Sequence, residues 1–510
     1  MATAMDEADQ NAWRAGRVGL SNLRLLVAPD AAAATEAALH AFAEAVTSGP
    51  NCIGLATGGT FSSFFDRVVD EETAGRLDLS QTTFTHLDEY VGVDPSAPGG
   101  MAHELNERLF SKLSNGVAAF HQAPAEADDP AAAQGALLDA LGSFDLQLLG
   151  IGRNGHIAFN EPGTPFTLRT HVTALDTDTI NANSARYPDG AHPTHALTMG
   201  PRAILQTRRI CLVATGSAKA DAVRAMLEGP VSPGCPASIV RLHNDAYVIL
   251  DTAAAAKLTE ATWKSPERLP DAVLRAADLQ PGGPVVVVSP HPDDASISCG
   301  GLLASLPQGV QKHILTLTTG ARARTDAAAT AEQVAELREA EVRQEAAALG
   351  CEAFFLRGHF YDSGLFEEGD VERLLAELQR IGPAWVLAPA LQDPHPTHRL
   401  TRQVLDAALE RLVATTGREV EIWTFEGAWH QHPTTDVNAL FLFDEAVEET
   451  KLQAVRAHQS QLTRVPFDEG AKALARLRAV TFSESHLGGT EPGGITKLPL
   501  VEAYVRTRLA

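Results

Sequence analysis

Two fused α/β domains, each a mostly parallel sheet with helices on both faces, are what the sequence predicts. Three observations point there. Short aliphatic and β-branched runs alternate with longer alanine-rich helical stretches along the chain. That alternation breaks once, over 265–284 (SPERLPDAVLRAADLQPGGP), where prolines stand at both ends beside a glycine pair. The length, 510 residues, exceeds what one domain of about one to two hundred residues accounts for.

The elements follow in order. In the first domain, 1–265, strands are expected over 52–57, 82–87, 145–151, 209–215 and 246–251. Residues 266–284 read as a linker with one or two helical turns. A fresh apolar strand at 285–288 opens the second domain, 285–510, with further strands over 313–318, 353–356, 385–388 and 421–425. The stretch 331–349 is rich in Ala, Glu and Arg, strong helix formers, and reads as a long helix. Both halves read as Rossmann-like three-layer domains, yet they share no motif, and no internal repeat is found.

Hydrophobic residues at 45% and charged residues at 21% exclude wholesale disorder. With 41 Lys and Arg against 64 Asp and Glu, the net charge is −23. So acidic a surface repels phosphate backbones and anionic lipid, which argues against nucleic-acid or membrane partners. The five cysteines, Cys52, Cys211, Cys235, Cys299 and Cys351, are scattered without a CxxC pair, which fits a reducing compartment. The acidic N-terminal segment lacks the apolar core of a secretory signal, and no apolar run approaches roughly 18 residues. A soluble, cytoplasmic protein is expected. Homo-oligomerisation is left open.

In the first half, Thr57-Gly-Gly-Thr60 follows a strand and precedes a helical stretch, so its backbone N–H groups can converge on an anion. A tight turn that binds nothing is the plain alternative. Thr215-Gly-Ser-Ala-Lys219 repeats the pattern and adds a cation. Gly150-Ile-Gly-Arg-Asn-Gly155 matches G-x-G-x-x-G, but Pro162-Gly163 forbids the long helix a dinucleotide site needs. What remains is a loop carrying Asn154, His156 and Glu161 at a strand's C-terminal edge, with Asp88-Glu89 after another strand. A histidine paired with a carboxylate can shuttle protons near neutral pH, and a separate carboxylate can take a proton from carbon. Aldose–ketose chemistry requires those two jobs.

The set TGGT (57–60), LDEYVG (87–92), LLGIGRNGHIAFNEPGT (148–164), LRTH (168–171), NSARY (183–187), ALTMG (196–200) and GSAKA (216–220) resembles glucosamine-6-phosphate deaminase. The resemblance implies conversion of glucosamine 6-phosphate to fructose 6-phosphate and ammonia, without metal or organic cofactor. It assigns ring opening to His156, with Glu161 orienting it and Asn154 beside it. Asp88 would remove the C2 proton and return one to C1. Gly58, Gly59, Thr60, Arg186 and Lys219 would hold the phosphate; Arg186 aligns only with a one-residue insertion. Asn154 replaces an aspartate found in some members, and a neutral partner stabilises an imidazolium less than a carboxylate would. The Asn160-Glu161-Pro162 continuation and the DEY triplet favour the deaminase over related 6-phosphogluconolactonases.

In the second half, Val285-Val-Val-Val-Ser-Pro-His291-Pro-Asp293-Asp294 runs an apolar strand into a histidine and two acids. Trp385-Val-Leu-Ala-Pro-Ala leads similarly toward Asp393-Pro-His395-Pro-Thr-His398. Two His and one carboxylate from two strand ends suit a zinc that keeps a position open for water. A second carboxylate can then deprotonate that water. The pair SPHPDD and HPTHR resembles the LmbE-like (PIG-L) zinc-dependent de-N-acetylases. Gly300-Gly301-Leu302, Arg338-Glu-Ala-Glu341 and Lys451 with His458-Gln-Ser460-Gln461 support the resemblance. It implies Zn2+ on His291, Asp294 and His398, Asp293 as general base, and His395 as oxyanion stabiliser or acid for the leaving amine. Ala295 stands where members usually carry Glu and Thr397 where they often carry Asp; losing such supporting carboxylates alters metal affinity or activity by roughly 10–100-fold, and the loss at Thr397 bears on how well His395 is poised as an acid.

Together the halves imply amino-sugar phosphates as small-molecule partners. Deacetylation of N-acetylglucosamine 6-phosphate would yield the substrate of the first half.

Overall fold

Two large sheets organise the chain, one in each of the units Met1–Ser265 and Pro266–Ala510. The computed structural model describes residues 14–17, 23–47, 51–176, 180, 193–259, 262, 266–324, 328–487 and 498–510.

The first unit holds β1 (Arg14–Arg17), β2 (Arg24–Ala28), β3 (Asn51–Leu55), β4 (Thr82–His86), β5 (Asp88–Tyr90) and β6 (Ala119–His121). It continues with β7 (Leu146–Leu149), β8 (Thr170–Ala174), β9 (His195–Met199), β10 (Ile210–Ala214) and β11 (Ala246–Asp251). Its main sheet runs β1-β2-β11-β10-β7-β3-β4-β6 and is parallel except for the β1–β2 pair. The five strands expected here all form. They were readable because strands such as β3, β7 and β10 are buried along their whole length and therefore appear as unbroken apolar runs. A small antiparallel sheet, β5-β9-β8, pairs Asp88 with Thr198. Helices α1 (Ala31–Thr47) and α2 (Gly59–Thr73) meet through Phe42 and Phe64, whose rings stand edge to face 5.5 Å apart. Further along lie α3 (Met101–Arg108), α4 (Pro130–Leu141) and α5 (Ala220–Glu228).

The second unit's sheet runs β13-β19-β20-β18-β17-β14-β15-β16. Its strands are β12 (Glu267–Arg268), β13 (Ala272–Leu274), β14 (Val285–Ser289), β15 (Lys312–Thr316) and β16 (Glu352–Phe355). They are followed by β17 (Trp385–Ala388), β18 (Val420–Phe425), β19 (Ala439–Phe443) and β20 (Leu500–Leu509). The block from β16 to β18 is parallel, whereas β20 lies antiparallel between β18 and β19. Every valine of β14 is fully buried, as a central strand covered on both faces requires. The stretch 266–284, expected as a linker, differs from that reading. Within it β12 pairs with β20 and β13 with β19, and 276–278 form a short 3-10 turn. Its prolines and glycines bound edge strands, where the missing N–H of proline costs no ladder bond.

Four helices carry the second unit's site: α6 (Asp294–Ser305), α7 (Ala331–Leu349), α8 (Pro396–Thr416) and α9 (Glu445–Arg456). The α7 bounds match the expected helix; Thr330 and Gln333 form a capping box at its start and Gly350, left-handed, ends it. Among the described residues no helix is long and apolar enough to cross a membrane.

Candidate active sites

In the first unit β3 and β7 lie side by side, and the chain then progresses outward in opposite directions, β4 and β6 on one side, β10 and β11 on the other. Their C-terminal ends form a topological switch point, where open α/β sheets leave a crevice. A cavity of about 290 Å³ occupies it, lined by Gly58, Gly59, Thr60, Asp88, Asn154, His156 and Lys219 together with Arg153. Seven of the expected first-half residues thus share one cavity. Glu161 stands behind it, and Arg186 lies outside the described residues.

The loop after β7 fixes the histidine. Gly152 donates its N–H to the carbonyl of His156 at 2.9 Å, and a Cβ on Gly152 would fall 2.2 Å from the imidazole. Only glycine lets the ring lie there. Asn154 accepts from the His156 N–H at 3.2 Å and donates through Nδ2 to Glu161 Oε2 at 2.8 Å. That same Oε2 stands 3.4 Å from His156 Nδ1. The charged partner of the histidine is therefore Glu161, with Asn154 bracing both.

Asp88 and Glu89, adjacent in sequence, part company. Asp88 is buried and faces the cavity. Glu89, fully buried, accepts N–H bonds from Tyr90, Met101 and Ala102 at 2.9 Å each and caps the first turn of α3. The turn at 57–60 also departs from the expected arrangement. Gly58, at φ 100°, commits its N–H to Glu104 Oε1 at 3.2 Å, which leaves the N–H groups of Gly59 and Thr60, unsatisfied within the first turn of α2, toward the cavity. Lys219 donates to the Ile151 carbonyl at 2.6 Å; burial lowers its pKa, and the Arg153 charge adds to that.

The second unit repeats the logic. β14 and β17 are neighbours, with β15 and β16 on one side and β18 on the other, so a second switch point forms at their ends. The loop after β14 delivers His291 and the start of α6; the loop after β17 delivers His395 and the start of α8. His291 Nδ1, Asp294 Oδ2 and His398 Nε2 stand 3.2 Å apart in all three pairings. Tetrahedral zinc bonds of about 2.0–2.1 Å place neighbouring donors about 3.3 Å apart, so the spacing of these atoms suits a zinc. His395 joins a looser histidine trio whose ring nitrogens lie within 4.8 Å of one another. Its Nδ1 accepts from the Thr397 N–H at 3.3 Å, and its ring centroid is 4.8 Å from that of His291.

Electrostatics separates these groups. Burial would raise the Asp294 carboxyl, but the His398 and His291 rings outweigh it and hold the pKa well down. Burial would lower His398, yet Asp294 and Asp393 push it up to about 10. His395 falls to about 4, through burial first and then the His291 and His398 charges. Asp393 accepts from His398 Nδ1 at 2.8 Å and from the His395 N–H at 2.8 Å. A carboxylate in this place can orient an imidazole toward a metal. Sequence reasoning gave Asp393 no role although it opens the DPHPTH stretch.

Asp293 Oδ2 meets Arg338 Nη2 at 2.8 Å, and Arg338 also donates to the Pro292 carbonyl at 2.8 Å. Glu345, one helical stripe further along α7, accepts from the Ser296 N–H at 2.8 Å and lies 3.3 Å from His458 Nε2. Glu341 accepts from both N and Oγ of Ser460 at 2.7 Å. The RxxE and HQSQ stretches noted in the sequence thus brace the loop that carries Asp293 and Asp294. Ala295 is fully buried in the apolar core, where a carboxylate would need a partner. Arg357 is tied to Glu339 and Glu332 at 2.6 and 2.8 Å, and Arg399 donates to the Asp393 carbonyl at 2.9 Å.

Comparison with known proteins matches residues 286–409 to the GlcNAc-PI de-N-acetylase (PIG-L) family. A glucosamine-6-phosphate deaminase of Shewanella loihica is 38% identical over 243 residues, 47% of this chain and 91% of that protein. Glucosamine-6-phosphate deaminase 1 of Bacillus subtilis is 40% identical over 218 residues, 42% of this chain and 90% of its own. Among solved structures, an N,N'-diacetylchitobiose deacetylase from Pyrococcus horikoshii shares 21% identity over 44% of this chain and 83% of its own, with a TM-score of 0.36. Through residues 27–249, the chain belongs to the family of glucosamine-6-phosphate isomerases and 6-phosphogluconolactonases.

Proposed function

We propose that this chain is a bifunctional amino-sugar enzyme. Its C-terminal unit hydrolyses the acetamide of an N-acetylglucosamine substrate, the 6-phosphate form, to acetate and the free amine. Its N-terminal unit converts glucosamine 6-phosphate and water to fructose 6-phosphate and ammonia. The observation that carries the reading is that one polypeptide holds both a cavity ringed by Asp88, His156 and Lys219 and a trio of donor atoms 3.2 Å apart.

In the first unit Lys219 and the N–H groups of Gly59 and Thr60 hold the phosphate. His156, backed by Glu161, gives a proton to the ring oxygen, which frees the C1 aldehyde. Asp88 takes the C2 proton and returns it to C1, so the amine-bearing carbon becomes an imine. Water adds there, and ammonia leaves. No cofactor is required.

In the second unit His291, Asp294 and His398 would hold zinc. When bound, zinc supplies a Lewis acid for the acetamide carbonyl and lowers the pKa of a bound water toward about 7. Asp293, held by Arg338, takes a proton from the attacking water. His395 hydrogen-bonds the tetrahedral oxygen or protonates the departing nitrogen. Each C–N bond broken consumes one water.

The test supplies each substrate separately to the full chain. Fructose 6-phosphate and ammonia are expected from glucosamine 6-phosphate. Acetate is expected from N-acetylglucosamine 6-phosphate in preference to the unphosphorylated sugar, with about one zinc per chain by elemental analysis. Acetate release that is indifferent to the phosphate would assign the second unit a different glucosamine conjugate.

A further inference from the structure

The geometry points to Arg153 as a specificity-determining residue of the first cavity: it binds the 6-phosphate of the substrate from the same turn that presents His156 to the ring oxygen. The inference rests on the deaminase reading and extends it to a residue to which the resemblance assigns no role.

Arg153 lines the cavity and is exposed in its mouth. Among the described residues no carboxylate pairs with it, in a chain whose net charge is −23 and most of whose cavity-free arginines are engaged elsewhere: Arg67 by Glu36 and Glu71, Arg208 by Asp145, Arg209 by Asp245. Among the described residues Lys219 in the same cavity bonds only a carbonyl, that of Ile151. Two cations, neither bonded to a carboxylate among the described residues, therefore share with Asp88 the crevice at the α2 N-terminus. Like charges gathered in this way repel until a dianion enters.

The turn itself supplies the second argument. It is closed by Gly155 N–H to the Gly152 carbonyl at 3.1 Å and by Gly152 N–H to the His156 carbonyl at 2.9 Å. Arg153 and His156 thus sit on one rigid turn. In a hexose 6-phosphate the ring oxygen and the phosphorus are joined only through C5, C6 and O6. A turn that offers an imidazole to the ring oxygen can offer a guanidinium, with its planar fork of donors, to the phosphate. Phosphate binding would then position the sugar directly against the histidine.

The experiment compares the full-length wild type with Arg153→Ala and Arg153→Lys. Deamination is followed with glucosamine 6-phosphate and with unphosphorylated glucosamine, and binding of inorganic phosphate is measured by calorimetry. Arg153→Ala is expected to raise KM for the phosphorylated substrate tenfold or more (roughly one charge-assisted hydrogen bond) and to weaken inorganic phosphate equally. Activity on glucosamine should not change in parallel, and Arg153→Lys should recover part of the loss. Equal losses on both substrates, or phosphate binding unaltered by Arg153→Ala, would overturn the assignment. Should the wild type not deaminate at all, the deaminase reading fails, while phosphate binding still decides the role of Arg153.

Discussion

Asp393 Oδ2 accepts from His398 Nδ1 at 2.8 Å, and so a carboxylate five residues upstream fixes which ring nitrogen of His398 faces the metal trio. Asp393→Ala should therefore lower zinc affinity by about 10–100-fold. Competition with a fluorescent chelator would measure it, and acetate release should recover as zinc is raised. Unchanged affinity would remove Asp393 from the metal's support.

Gly152 leaves no room for a Cβ beneath the His156 ring. Gly152→Ala should push the imidazole out of line with the sugar and cut kcat for deamination at least tenfold. Overpacking of this kind costs about 1–3 kcal/mol of stability, so the unit should still fold. Acetate release is expected to stay at the wild-type rate, which separates a local displacement from general unfolding.

Stability of the first unit should depend on pH through His86. Burial lowers this group from 6.5 to about 4, and its Nε2 accepts from the Ala123 N–H at 2.8 Å. The unfolded chain takes up the proton first, so the contribution is complete above pH 6.5 and is lost as pH falls through 4. Its size is on the order of 3 kcal/mol. Urea unfolding across that range should show the loss, and His86→Gln, which keeps an acceptor without a titrating proton, should flatten it. An equal slope in the variant would exclude His86 as the source.

Lys451 and Glu502 form a buried pair at 2.6 Å, and Glu502 also accepts from the Gly301 and Leu302 N–H groups and from Tyr504. Lys451→Met leaves that carboxylate without its counter-charge. A loss of about 3–5 kcal/mol is expected in the second unit's unfolding. Deamination should persist at temperatures where acetate release has gone.

Legibility in the sequence followed burial in part, since β19 is buried along its whole length and yet was not among the expected strands. β14 and the α7 helix could be read because each advertises itself locally, one as an apolar run, the other by composition and caps. β20 escaped because Glu502, Arg506 and Arg508 interrupt its apolar residues and its partners, β18 and β19, end far upstream. For the same reason 266–284 resembled a linker: β12 and β13 are two and three residues long and owe their existence to strands distant in sequence. At the sites, residue types were legible but orientation was not. Asp88 and Glu89 carry the same carboxylate, and only the pairing of β5 with β9 decides that one faces the cavity while the other caps α3. The engagement of Gly58 by Glu104 likewise depends on a helix some forty residues away.

If the two centres act in sequence on one amino sugar, N-acetylglucosamine 6-phosphate supplied alone to the full chain should yield acetate and ammonia together. His291→Ala should abolish both products, whereas Asp88→Asn should abolish ammonia alone and leave acetate release intact. Ammonia formed by the His291→Ala protein without acetate would contradict the account.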